Sequence, residues 1–176
     1  MALTSNAGGQ VTGMTETSDL ATVYPVASTQ TAVVNTLNQV TSLSGTAYTY
    51  DANGNVTADG VRTYAWDAED RLVTIGYVAV AGKLTTFGYD GLSRRISKSS
   101  KPNTAGAAVL TKYIWCGQAL CQSRSAAGAV TRRYLAEGEY VPGTTPIKYY
   151  YATDQIGSVR RVFASNNTTP AYAYAF

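Results

Sequence analysis

The chain has 176 residues, among them 14 tyrosines and 16 glycines, with charged residues at 14% and a formal net charge of +3. The length suits one domain with a core, the low charge with many Tyr, Val and Thr favours strands joined by glycine turns, and the small net charge is no compositional sign of a polyanion partner. There is no histidine, which excludes Ser-His and Cys-His catalysis and removes the commonest general base and metal ligand.

In chain order, residues 1–30 are rich in Ser, Thr and Gly and read as a loosely structured lead-in or truncated repeat, with a strand expected at Gln10–Thr15. The start lacks a basic stretch followed by an apolar one, so no signal peptide is expected, and no apolar run approaches the about 20 residues that span a bilayer. Between Ala32 and Ser44 the β-branched residues resist a helix and the alternation is imperfect, which favours an extended connection.

Residues 31–105 carry a recurring unit. In Tyr48-Thr-Tyr-Asp-Ala-Asn-Gly-Asn-Val-Thr57 two aromatics at i and i+2 share one strand face, and Asn53-Gly54 is a strong hairpin signal. Tyr50-Asp51 is followed four residues after the Asp by Asn55, Trp66-Asp67 by Arg71, and Tyr89-Asp90 by Arg94. Self-similarity of this kind marks repeat architectures, and Asp is suited to close such a turn by accepting backbone N–H groups ahead of it. The series Asp51, Asn53, Asn55, Thr57, Asp59 also spaces oxygen atoms like the start of a calcium loop. It lacks the glycine at the sixth place and has Arg62 where the bidentate Glu belongs, so the turn reading is favoured.

From residue 106 to 176 further strands are expected at Val109–Trp115, Leu120–Ser125, Val130–Leu135 and Ile147–Tyr151, with Glu137–Pro146 as a connection. Asn166-Asn167 reads as a turn into Ala171–Phe176, an alternating ending that looks cut. Cys116 and Cys121 are too few for a zinc site and too widely spaced for a redox motif, leaving two buried thiols or one cross-hairpin disulfide.

The units Tyr48-Thr-Tyr-Asp, Tyr64-Ala-Trp-Asp and Gly88-Tyr-Asp, with Asp154-Gln-Ile-Gly-Ser-Val-Arg160, resemble the tyrosine–aspartate repeats and repeat-associated core of Rhs-type proteins. The resemblance covers roughly residues 30–176. It implies an all-β fold of antiparallel hairpin repeats in a curved, partly open sheet, part of a shell that encloses a toxic polypeptide. It further implies a secreted or cell-surface parent and a non-enzymatic scaffold with no cofactor. It does not imply the family's autoproteolysis, since no Asp-Pro dipeptide occurs here. Exposed edge strands in such a piece favour self-association.

Two other classes compete. A histidine-independent hydrolase acting on a glycoside, ester or phosphoester would draw on Glu137 and Glu139, at i and i+2 on an expected strand, or on Asp154 beside Gly157-Ser158. A carbohydrate-binding module would stack sugars on tyrosines. A nucleic-acid partner is disfavoured, because the paired arginines Arg94-Arg95, Arg132-Arg133 and Arg160-Arg161 send their side chains to opposite faces of a strand.

Overall fold

Among the described residues, runs rich in Val, Thr and Tyr alternate with short turns, and most of these runs are strands. The computed structural model describes residues 2–5, 7–8, 11–15, 29–165 and 170–173. β1 (Ala2–Ser5) and β2 (Val11–Thr15) pair as an antiparallel hairpin. β3 (Ala32–Val34), β4 (Val40–Leu43) and β5 (Thr46–Ala47) form a three-stranded sheet.

The rest is one thirteen-stranded sheet in which every strand pairs antiparallel with its neighbour in sequence. It begins with β6 (Thr49–Tyr50), β7 (Val56–Ala58), β8 (Arg62–Trp66) and β9 (Leu72–Tyr77). It continues through β10 (Leu84–Tyr89), β11 (Arg95–Lys101), β12 (Val109–Cys116), β13 (Ala119–Ser125) and β14 (Val130–Leu135). It ends with β15 (Gly138–Val141), β16 (Ile147–Thr153), β17 (Val159–Ala164) and β18 (Pro170–Ala173). The fold is all-β, mostly antiparallel strands in a large open sheet, and no helix occurs among the described residues.

One turn chemistry recurs along one edge. Asp51 Oδ1 accepts the N–H groups of Asn53 and Asn55 at 3.0 and 2.8 Å, and the Gly54 N–H closes onto the Asp51 carbonyl at 3.1 Å. Asp67 does the same with Glu69 and Arg71, Asp90 with Leu92 and Arg94, and Asp154 with Ile156 and Ser158. Each is an Asp side chain replacing a turn of backbone. The fourth residue of the turn sits at positive φ, 89° at Gly54, 56° at Asp70 and 59° at Ser93, where glycine alone carries no steric cost.

Two departures from the sequence reading follow from local chemistry. Residues 32–43 are a hairpin and not an extended connection, because Asn35 Oδ1 accepts from Leu37 and Gln39, both at 2.9 Å, and so builds the turn that Asp builds elsewhere. Within Glu137–Pro146, β15 is a paired strand. A Cβ on Gly138 would collide with the carbonyl of Tyr149 on β16, so glycine there permits close pairing. Residues 174–176 and the Asn166-Asn167 turn lie outside the described residues, as do 6, 9–10 and 16–28 of the lead-in.

Successive hairpins are also tied side chain to backbone. Tyr50 donates its hydroxyl to the Val40 carbonyl, Trp66 its indole N–H to Val56, Tyr89 its hydroxyl to Leu72, and Trp115 its indole N–H to Arg95. In each case the acceptor lies five residues after the turn-closing Asn or Asp of the previous hairpin. The residue just before the acceptor reaches forward to the next turn in three of these units. Asn55 bonds Asp70 at 2.7 Å, Arg71 bonds the Asp90 carbonyl at 3.3 Å, and Arg94 bonds the Gly117 carbonyl. Conventional burial is slight: Ser123, Gly138 and Val162 are the buried residues among those described. The sheet is held by its ladders and these edge ties.

Candidate functional site

Because cross-strand partners share a face, the register sorts side chains between the two sides of the sheet. One face carries aromatic and apolar groups, with Tyr64 opposite Ile75 and Phe87 opposite Lys98. Arg95 lies over the rings of Phe87 and Tyr113, each 5.4 Å from the ring centroid. The other face begins with small residues, Thr63 opposite Gly76 and Gly88 opposite Ser97. It changes character beyond β11, where Lys112 lies opposite Arg124, and Gln122, Arg133, Tyr140 and Lys148 follow one another across four strands.

On that second face β14, β15 and β16 form an open groove of about 500 Å³, whose lining includes Arg133, Tyr140, Lys148 and Tyr150 together with Glu137 and Glu139. Gly138 also lines the groove and lies tight against β16. Arg133 stands 5.9 Å from the Tyr140 ring centroid, a cation–π distance.

The three carboxylates singled out in the sequence are placed apart in role. Glu137 is exposed in the turn between β14 and β15, where its carbonyl accepts the Tyr151 N–H at 2.9 Å. Glu139, on β15, is opposite Tyr134 on the aromatic face, ion-paired with Arg132 and accepting the Tyr151 hydroxyl. Asp154 starts the β16–β17 turn described above. No hydrogen bond or ion pair joins any two of the three among the described residues. The Arg132–Glu139–Tyr151 network was not legible beforehand, since it depends on the β14–β15–β16 register.

The turn carboxylates are electrostatically settled. The Arg94 side chain and the backbone N–H groups of Arg94 and Leu92 hold the Asp90 carboxyl below the ordinary range, against partial desolvation. For Asp51 and Asp67 desolvation is the largest influence and pushes upward. The combined hydrogen bonds from Asn55, Asn53 and Gly54, and from Arg71 and Glu69, nevertheless bring both below it. Asp51 thus spends its oxygens on its own turn. Among the described residues no group of three or more acidic, Cys or His side chains is gathered as a metal site would require. Cys116 and Cys121 form a disulfide across the β12–β13 hairpin, with Cα atoms 5.8 Å apart.

The chain is 32% identical over 152 residues to a protein named tRNA3(Ser)-specific nuclease WapA from Bacillus spizizenii. It is 30% identical to tRNA nuclease WapA of Bacillus subtilis strain 168 and 31% identical to tRNA(Glu)-specific nuclease WapA of Bacillus subtilis subsp. natto, again over 152 residues. Each alignment covers 83% of this chain, and the chain spans about 6% of the length of these relatives. No family model matches. These similarities correct the reading from the tyrosine–aspartate motifs: the relatives are named as nucleases of tRNA, which overturns the expectation of a non-enzymatic Rhs-type scaffold fragment.

Proposed function

We propose that this chain is part of a longer polypeptide that acts as a nuclease on tRNA. The observation that carries the reading is the similarity, over 83% of the chain, to three proteins named as tRNA nucleases. Within the segment, the groove between β14 and β16 supports it. Arg133 and Lys148 supply positive charge of the kind that stabilises a phosphodiester transition state, and Glu137 supplies a carboxylate base in a chain without histidine.

The test is cleavage of deproteinised tRNA, read on a denaturing gel. It uses the purified chain and, in parallel, a longer polypeptide carrying it. Cleavage by the chain that is lost in Glu137→Gln places the chemistry in the groove. Cleavage by the longer polypeptide alone places it elsewhere in that polypeptide. Intact tRNA in both reactions overturns the reading.

A secreted or cell-surface parent belongs to the same proposal. The Cys116–Cys121 disulfide supports it, since such bonds persist in oxidising compartments. The scarcity of buried side chains supports association of the sheet with a second copy or with further polypeptide. Sedimentation that stays monomeric at high micromolar concentration counts against self-association.

A further inference from the structure

We propose that the β12–β16 part of the groove-bearing face binds a single-stranded stretch of RNA, with Lys112, Arg124, Arg133 and Lys148 on phosphates and Tyr150 stacking on a base. The choice of RNA over another polyanion rests on the nuclease reading above; the face itself rests on geometry.

Charge is the first argument. Residues 91–176 hold eleven Lys and Arg against three Asp and Glu, whereas residues 1–90 hold three against eight. The modest net charge of the whole chain conceals this division. Of the three acids in the basic half, Asp154 is taken up by its own turn, and Glu137 and Glu139 both line the groove, the Glu139 carboxylate being ion-paired with Arg132.

Register is the second argument. Lys112 and Arg124 are direct cross-strand partners, Arg133 pairs with Tyr140, and Tyr140 pairs with Lys148. The alternation that scatters Arg132 and Arg133 to opposite faces therefore gathers one basic residue from each of β12, β13, β14 and β16 on the same face. At the usual strand spacing of about 4.8 Å the row spans roughly 19 Å, a length suited to several nucleotides. None of the four has a carboxylate within ion-pair distance among the described residues. Arg124 is held by Gln122, and Lys112 by the Ala126 carbonyl at 2.9 Å.

Aromatic supply is the third. Tyr150 lies opposite Gly138, two residues from Lys148 on the same strand, with 51% of its surface exposed. Interleaved cations and open rings are the equipment of single-strand binding, where stacking tolerates any base.

The test is fluorescence anisotropy of a labelled uridine dodecamer with the full chain at 50 and 200 mM salt, beside labelled heparin. The account predicts RNA binding that weakens as salt rises. Lys112→Gln, Arg124→Gln, Arg133→Gln and Lys148→Gln combined should reduce affinity at least tenfold, and Arg133→Gln or Lys148→Gln alone about threefold. Arg62→Gln with Lys98→Gln, on the opposite face, should change it less than twofold. Tyr150→Ala should weaken RNA binding at least threefold and leave heparin binding unchanged. Circular dichroism confirms that each variant keeps its sheet. No binding by the parent chain, or equal binding by the fourfold variant, overturns the face. Equal RNA binding by Tyr150→Ala overturns the assignment to RNA. RNA binding with these losses, alongside intact tRNA in every cleavage reaction, removes the nuclease reading and leaves the face. Cleavage without binding here does the reverse.

Discussion

The indole N–H of Trp66 meets the carbonyl of Val56 at 2.8 Å, joining one hairpin to the strand that completes the hairpin before it. Trp66 also precedes Asp67, the residue that closes its own turn. One dipeptide thus sets both the local turn and the tie to its neighbour, and Tyr89-Asp90 repeats the arrangement through Leu72.

Removing that tie while keeping the ring isolates its contribution. Tyr89→Phe should destabilise the chain by about 1 kcal/mol, the usual net value of a hydrogen bond, and lower the melting temperature by about 2–4 °C. Tyr50→Phe, which removes the tie to Val40, should cost a similar amount. Thermal denaturation followed by circular dichroism measures both.

The turn carboxylates make the sheet sensitive to acid. Asp51, Asp67 and Asp90 are held below their ordinary values in the folded chain. Their contribution to stability is therefore complete above about pH 5, where both folded and unfolded chains have them ionised, and is lost as the pH falls through the depressed folded values. Asn35 performs the same turn without a charge, so Asp67→Asn and Asp90→Asn together should keep the fold and flatten this acid transition. Tryptophan fluorescence between pH 6 and pH 2 reads the difference. An unchanged transition would show that other groups govern it.

Gly138 is the position where a single methyl group should do most harm. Its Cβ would meet the Tyr149 carbonyl, backbone that cannot move without disturbing β16. Gly138→Ala should cost about 1–3 kcal/mol, the typical range for overpacking. Gly143, with nothing near its would-be Cβ, should tolerate alanine with little change. Chemical denaturation of the two variants makes the comparison.

The turns at Asp51, Asp67 and Asp90 were legible because an aromatic–Asp pair and a residue four places on announce them. The turn at Asn35 was hidden because Val34 stands where the aromatic would be and Asn replaces Asp. Asp154 has the same offsets to Ile156 and Ser158, yet nearby Gly157-Ser158 also invited a reading as a candidate for catalysis. β15 was hidden by a glycine that looked like a loop residue and serves close strand pairing. The row of cations was beyond the sequence altogether. Whether Arg132 or Arg133 shares a face with Lys148 depends on the register from β14 through β15 to β16, and a one-residue slip would exchange them.

Ultraviolet crosslinking of tRNA to the chain, with the attached peptides identified by mass spectrometry, tests the RNA-directed account most directly. The account predicts crosslinks on the peptides bearing Tyr140 and Tyr150, reduced by the fourfold substitution of Lys112, Arg124, Arg133 and Lys148. Crosslinks confined to the acidic half before Gly91, or none at all, would contradict it.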